Sequence, residues 1–192
     1  MFTMRPAASA DEAEIAAMIR DRAGWMRDRG LDGADGWDSK AGTLAAHAGD
    51  PDTPAWACTG PSGRIAGITS LYPETPLWGW TDEERAQDAI FLATTVTHPD
   101  YAGQRLGCLI AWWALDHAAR NGYEHVRRVC AFERLMRYYR DVQGWELAHE
   151  VERKGWPAYL LTRRAERRPD LAGLISDTPG QPHAGHTAPA SP

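Results

Sequence analysis

The segment that most constrains the fold of this chain is an apolar run at residues 89–96, which ends in β-branched side chains. A short glycine-containing loop follows, and residues 107–121 then repeat apolar side chains on one helical face. Residues 125–131 have the pattern of a second strand. A helix that connects two strands of one sheet normally joins parallel strands in a right-handed crossover. The sequence therefore predicts a parallel strand pair bridged by a helix.

The flanking sequence predicts antiparallel strands around this unit. Turn residues at 60–63 and at 154–155 each lie between two strand-like runs, which indicates two hairpins. Ser9 and Glu12 have the spacing of a capping box, which predicts the start of the first helix. The predicted fold class is α/β, a mixed sheet with helices on its faces, in a single domain over residues 1–166.

The C-terminal residues 167–192 are rich in Pro, Gly, Ala and Ser. They carry too few apolar side chains to build a core, so we expect a disordered tail. His183 and His186 within it have the spacing of a metal-binding pair. Helix-breaking residues surround them, however, so no metal site is expected there or elsewhere.

Composition argues against several classes of protein. The 192 residues carry a net charge of -5, whereas a nucleic-acid-binding protein normally carries a basic patch. No run approaches the roughly 20 apolar residues of a membrane span, and the first six residues lack the apolar stretch of a secretory signal. Three widely spaced cysteines without a Cys-x-x-Cys pair favour reduced thiols over a disulfide scaffold or a zinc site. We therefore expect a cytoplasmic protein without a nucleic-acid or membrane partner.

The loop between the apolar run and the helix is the best candidate for a binding site. Unpaired N–H groups at the start of a helix carry a partial positive charge and suit a pyrophosphate. Gly103 and Gly107 leave room for phosphates to approach the backbone. Arg105 adds a fixed positive charge. The alternative is an ordinary strand-to-helix turn whose glycines serve only its geometry.

This segment resembles the phosphate-binding motif of the GNAT superfamily of acyl-CoA-dependent N-acyltransferases, Arg/Gln-x-x-Gly-x-Gly/Ala. The motif falls on residues 102–107, where Ala102 replaces Arg or Gln and Arg105 replaces the middle Gly. Because Arg105 is not a glycine, we expect a backbone conformation that a side chain permits.

A second block, residues 133–145, is similar to the family's helix that ends in Tyr-x-x-x-Gly-Phe. Gly144 and Trp145 stand for Gly-Phe. Tyr139 lies five residues before Gly144 instead of four, which suggests one extra residue in a helix bulge. Glu133 stands where the family often has an Asn that contacts the cofactor.

The resemblance implies an N-acetyltransferase that uses acetyl-CoA as cosubstrate and acts by direct attack of an amine in a ternary complex. It implies that the following residues contact the cofactor: Val96, Thr97, Ala102, Gly103, Gln104, Arg105, Leu106, Gly107 and Glu133. Main-chain groups of Val96 and Thr97 would bind the pantetheine arm and stabilise the thioester oxygen.

For protonation of the leaving thiolate the family suggests Tyr139, with Tyr138 as the alternative. The general base stays unassigned. The candidates are Asp88, His98, Glu133 and the acidic run 82–84.

Four tryptophans lie at loops or helix ends where this family builds its acceptor pocket: Trp25, Trp37, Trp78 and Trp80. As a group they favour a small, partly apolar amine as the substrate, with core packing as the alternative for each. Members of the family are often dimers, so a homodimer is a further partner to test.

Two other functions compete with the transferase. The departures at Ala102, Arg105 and Glu133 fit a non-catalytic module that binds acyl-CoA or a small ligand. Cys108, at a helix N-terminus, could make the protein a hydrolase or an acyl carrier, although packing against the sheet is the simpler role for it.

Overall fold

The computed structural model describes residues 1–178. Within this range eight strands form one mixed sheet: β1 (Phe2–Pro6), β2 (Ala55–Thr59), β3 (Ile65–Tyr72), β4 (Ala89–Thr97), β5 (His125–Cys130), β6 (Glu146–Arg153), β7 (Trp156–Arg164) and β8 (Ile175–Asp177). The described α-helices are α1 (Glu12–Arg27), α2 (Ala34–Ala45), α3 (Asp82–Arg85), α4 (Leu106–Arg120) and α5 (Glu133–Gln143).

The sheet has the strand order β6-β7-β5-β4-β3-β2-β1-β8. β4 and β5 are parallel and are joined through α4, which confirms the predicted crossover unit. Both predicted hairpins are present as antiparallel pairs, β2 with β3 and β6 with β7. The predicted mixed sheet with flanking helices is therefore confirmed.

Helices cover both faces of the sheet. Ala66 on β3 packs in a cluster with apolar residues of α4, whereas the adjacent Ile65 packs with α1 and α2. Because successive side chains of a strand point to opposite faces, α1 and α2 lie on one face and α4 lies on the other. A third, smaller cluster joins Trp80 to Ala158 and Leu160 of β7. Within residues 1–178, no helix is both long enough and apolar enough to cross a membrane.

The C-terminal boundary predicted from the sequence is wrong for residues 167–178. Strand β8 pairs in parallel with β1, and Leu171 and Ile175 are buried in the main core. These two side chains suffice to dock a short strand on an open sheet edge, which the low apolar content of the tail as a whole concealed. Residues 179–192, with His183 and His186, lie outside the described range.

Asp116 on α4 ties this C-terminal segment to the domain. Its carboxylate accepts hydrogen bonds from the backbone N–H of Arg168 at 2.9 Å and from the side chains of Arg120 and Arg167 at 2.7 and 3.1 Å. Burial alone would raise the pKa of Asp116, but these three donors lower it below its ordinary value of 3.8.

Replacing Asp116 with Asn is expected to lower the free energy of unfolding by about 1 kcal/mol, because partly exposed charge-assisted bonds are lost. Since the folded pKa is depressed, the contribution is present above pH 3.8 and is lost as the pH falls through the lower folded value. Urea unfolding at pH 7 and pH 3 measures both effects. Equal loss of stability at the two pH values would contradict this role.

Candidate active site

Strands β4 and β5 diverge and open the sheet at its centre. They pair at three positions, the last of which joins Phe91 to Arg127. Beyond it β4 runs to Thr97 beside β3, and β5 runs to Cys130 beside β7. Among the described residues, no strand pairs with the two edges that face each other across this wedge. Their free backbone groups can bind an extended ligand as an added strand does.

A β-bulge shapes the β4 side of the wedge. Ile68 pairs with Val96 and Ser70 pairs with Ala93, so the single residue Thr69 faces two residues of β4. Thr94, one of the two, has φ +36°, which is unusual for a β-branched residue. The bulge reverses the side-chain alternation of the strand, so that Leu92 belongs to the α4 cluster and Val96 to the α1–α2 cluster. Nothing in the sequence marked this position, since a threonine is not the expected residue there.

The loop from β4 to α4 supplies the second part of the site. The His98 Nδ1 accepts the N–H of Asp100 at 3.1 Å and starts a 3-10 turn. Among residues 1–178, no hydrogen-bond acceptor contacts the N–H groups of four residues that follow: Gly103, Arg105, Leu106 and Gly107. The start of α4 therefore offers the cluster of free donors that an anionic ligand requires.

The two glycines of this loop face open space. A Cβ placed on Gly103 or on Gly107 would meet no protein atom within 4 Å. Steric contacts within the protein therefore do not explain why these two positions lack a side chain. Gly103 has φ +85°, a conformation that glycine adopts freely. At Gly107 the backbone is helical, so room for a bulky group such as a pyrophosphate against the main chain is the explanation that remains.

Arg105 is the residue immediately before α4 and has a left-handed backbone, with φ +54° and ψ +28°. This region is open to non-glycine residues at a cost of roughly 1 kcal/mol, so the expectation for Arg105 is met with some strain. No carboxylate within residues 1–178 forms an ion pair with its exposed guanidinium. The side chain is therefore available to an anion bound at the helix start.

Replacing Arg105 with Gly is expected to give a protein about 1 kcal/mol more stable than replacing it with Ala, because only glycine adopts the left-handed conformation freely. Both substitutions remove the same charge, so the difference between their free energies of unfolding reports the cost of the left-handed backbone conformation. Thermal and urea unfolding of the two variants measure it. An Ala variant as stable as the Gly variant would show that the backbone relaxes at no cost.

Helix α5 follows the open end of β5 and contains no bulge. It is α-helical from Glu133 to Gln143 and ends at Gly144, which has φ +75°. The predicted extra residue is therefore not absorbed within the helix, and the position four residues before Gly144 is Arg140. The exposed Arg140 side chain bonds Asp141 at 2.7 Å.

Tyr139 lies on the sheet-facing side of α5. Its ring packs against the main core, and the guanidinium carbon of Arg128 lies 3.5 Å from the ring centroid. Burial raises the pKa of Tyr139, and the positive charge of Arg128 offsets part of that rise. The phenol thus keeps its proton at neutral pH beside the wedge, as a proton donor must.

Tyr138 points instead toward α4. Its hydroxyl lies 3.0 Å from the Sγ of Cys108, and burial together with that bond raises the pKa of Tyr138 to about 12. The Nε2 of Gln143 also reaches this sulfur, at 3.6 Å. The polar partners of the buried Cys108 are thus a phenol and an amide, neither of which can serve as the base that a nucleophilic thiol needs.

The four tryptophans do not form one aromatic wall. Trp25 on α1 lies between two arginine guanidinium groups, each 4.3 Å from its ring. Trp37 on α2 packs with the α1–α2 cluster. Trp78 and Trp80 pack in the separate cluster beneath β6 and β7, where Trp80 is 5% exposed. Their roles in substrate binding stay predictions.

The loop between α1 and α2 contacts the residue that precedes α5. A Cβ on Gly33 would lie 3.2 Å from the ring of Phe132, the residue that precedes α5. Because α1 packs on β3 and β4, this contact links the β4 side of the wedge to the β5 side. The sequence marked Gly33 only as the end of a helical pattern.

Within residues 1–178, no group of His, Cys, Asp and Glu side chains could hold a metal ion.

The comparisons with known proteins agree with this geometry. The profile of the acetyltransferase (GNAT) family matches residues 21–145, which include the wedge, the loop and α5. No curated protein sequence matches the chain.

Solved structures share the fold at low sequence identity. A GNAT-family acetyltransferase from Listeria monocytogenes is 16% identical, with a TM-score of 0.68 over 85% of this chain and 94% of its own. The ribosomal-protein-S18-alanine N-acetyltransferase of Escherichia coli is 13% identical, with a TM-score of 0.59 over 88% of this chain and 97% of its own. A protein from Salmonella typhimurium, solved with its cofactor acetyl-CoA, is 16% identical, with a TM-score of 0.52 over 88% of this chain and 96% of its own.

Proposed function

Because the chain belongs to the acetyltransferase (GNAT) family, we propose that it transfers an acetyl group from acetyl-CoA to a small-molecule amine. The observation that carries this proposal is the alignment of two features: the open wedge between β4 and β5, and the free N–H groups at the start of α4. One suits an extended pantetheine arm and the other a pyrophosphate. They follow one another directly along the chain, as a ligand with both parts requires.

Each part of the cofactor has a place in this arrangement. The phosphates would be held by the guanidinium of Arg105 and by the free N–H groups of Gly103, Arg105, Leu106 and Gly107. The free edge of β4 at Val96 and Thr97 would pair with the arm, and an N–H there would stabilise the negative charge that develops on the thioester oxygen. Bound acetyl-CoA supplies the activated acetyl group. By binding acetyl-CoA and the amine next to each other, the protein removes much of the entropic barrier to their reaction.

The transfer itself needs two proton movements. The neutral amine nitrogen attacks the carbonyl carbon, the carbon–sulfur bond breaks, and the amine loses a proton to solvent or to a base. The departing thiolate takes a proton from the Tyr139 hydroxyl, which solvent then restores. The Tyr138 hydroxyl is hydrogen-bonded to Cys108, so a substitution of Tyr138 is the control for a substitution of Tyr139. A cytoplasmic location, where all three buried thiols stay reduced, accompanies this proposal.

A screen of small amines with acetyl-CoA tests the proposal. We expect release of free CoA together with an acetylated amine for at least one amine class. Tight binding of acetyl-CoA without turnover would instead support the non-catalytic module. CoA release without an acetylated amine would support a thioester hydrolase, in which case Cys108→Ala should abolish it.

A further inference from the structure

Arg127 is a buried cation that has no carboxylate partner among the described residues. Its side chain is 1% exposed. Its two Nη atoms donate to neutral oxygens, Thr75 Oγ1 at 2.7 Å and Gln87 Oε1 at 2.6 Å. The buried Nε has no acceptor at all. Within residues 1–178, no carboxylate lies within the 4.0 Å of an ion pair with it.

The acidic group that acts on Arg127, Glu84, has other partners. The Glu84 carboxylate bonds the His149 Nε2 at 2.8 Å and the backbone N–H of Thr81 at 2.8 Å. Glu84 acts on Arg127 only at longer range, and burial lowers the pKa of Arg127 in spite of it. A buried guanidinium whose acceptors are all neutral is costly, and a negatively charged partner would offset that cost.

The position of Arg127 points to the acceptor as that partner. Arg127 sits at the last pairing of β5 with β4, at the apex of the wedge. The next residue, Arg128, contacts Tyr139 and Gln143 on the α5 side. Arg127 therefore points to the opposite face of the sheet, away from α5 and from the proposed proton donor. An acceptor that meets the thioester from the face opposite α5 would lie on the same face of the sheet as this guanidinium.

A single stretch of chain, the connection between β3 and β4, packs over the Arg127 side chain. Thr75, Gln87 and Trp80 all belong to it, and the Trp80 ring lies 4.8 Å from the guanidinium carbon. An incoming carboxylate would make charge-assisted bonds, which are about twice as strong as the bonds to the neutral oxygens it displaces. The free Nε together with one Nη presents the paired donors that a carboxylate accepts.

We propose that Arg127 binds a carboxylate of the acceptor, so that the substrate is an amino acid or a similar amine that carries a carboxylate. This inference rests on the proposed acetyl transfer and narrows its acceptor. Trp80 would then stack on the guanidinium and fix its plane, and Thr75 and Gln87 would hold the cation in the empty site. Arg127 would act as a specificity-determining residue, with no part in proton transfer.

Matched pairs of ligands test the proposal: L-phenylalanine with phenethylamine, L-tyrosine with tyramine, and L-tryptophan with tryptamine. Calorimetry on the full chain, with and without saturating CoA, measures binding independently of turnover. At least one amino acid should bind about 10-fold or more tightly than its decarboxylated partner, because a charge-assisted pair is lost. The same ratio should appear in kcat/KM.

Variants of Arg127 assign the preference to this residue. In Arg127→Gln the ratio should fall to near one. In Arg127→Lys it should be intermediate, because lysine keeps the positive charge but lacks the paired N–H donors of the guanidinium. The Kd of acetyl-CoA should be unchanged in both, which also reports correct folding.

Equal or tighter binding of the decarboxylated amines by the wild-type protein would overturn the proposal, as would failure of every amino acid in the panel to bind. Neither result contradicts the proposed acetyl transfer, whose failure would show as an absence of acetyl-CoA binding or as binding without formation of an acetylated amine.

Discussion

Replacement of Tyr139 by Phe is expected to lower kcat for acetyl transfer about 100-fold, within the range typical of a lost general acid. The substitution removes one hydroxyl and leaves the ring on Arg128, whose guanidinium carbon lies 3.5 Å from the ring centroid. Stability and the KM for acetyl-CoA should therefore change little. Steady-state kinetics at saturating acetyl-CoA measure the effect.

Tyr138→Phe is the matched control for this substitution. It removes a hydroxyl of the same chemistry from the adjacent residue, one that bonds Cys108 at 3.0 Å. We expect a change in kcat of less than about 3-fold, since a single neutral hydrogen bond outside the reacting groups is lost. The reverse order of the two effects would assign the proton donor to Tyr138. Full activity in both variants would mean that the thiolate is protonated by solvent.

Gly107→Leu is expected to abolish acetyl-CoA binding while the domain stays folded. A Cβ at this position meets no protein atom within 4 Å, and leucine is a better helix former than glycine by roughly 0.8 kcal/mol. The free energy of unfolding should thus be equal or higher. The same side chain would fill the space against the backbone N–H groups, so the Kd of acetyl-CoA should rise at least about 100-fold, the equivalent of 2.7 kcal/mol.

Gly107→Ala serves as the control, because the family's motif accepts Gly or Ala at this position. It should gain a similar helix propensity and keep binding within a few-fold of wild type. Unfolding experiments and calorimetry on the same samples separate the two effects. A leucine variant that binds acetyl-CoA as wild type does would place the phosphates somewhere other than the start of α4.

The centre of the fold could be predicted from local signals alone. The run at β4, the helical pattern of α4 and the strand at β5 each have a clear period, and chain connectivity then dictates a parallel pair. The loop proposed to bind the phosphates could be singled out for the same reason, since helix starts and glycines are local features. The wedge itself was not predicted, since the resemblance to a family implied only that Val96 and Thr97 bind the pantetheine arm.

The rest of the site depends on contacts that no short pattern encodes. The bulge at Thr94 arises from the pairing of β4 with β3, where Thr69 faces two residues. Strand β8 forms because β1 offers an open edge and the core has room for Leu171 and Ile175. The tryptophans separate because the β3–β4 connection packs on β7 while α2 packs on α1. Each outcome is set by a partner distant in sequence.

Arg127, which has no carboxylate partner within residues 1–178, is a further example of what the sequence does not reveal. In the sequence, Arg127 and Arg128 are two adjacent arginines in a strand, which usually indicates one exposed side chain. Both are buried, at 1% and 4% exposure, on opposite faces of the sheet. Only the fold shows that one meets α5 and the other meets the connection between β3 and β4.

Calorimetric titration of the chain with acetyl-CoA, with desulfo-CoA and ADP as comparisons, tests the central claim most directly. The account predicts a submillimolar Kd for acetyl-CoA, similar binding of desulfo-CoA because the arm and phosphates are intact, and clearly weaker binding of ADP because the arm is missing. Absence of detectable binding by every CoA species would contradict it. In that case the open wedge and the free N–H groups at the start of α4 would be features of the fold without a cofactor.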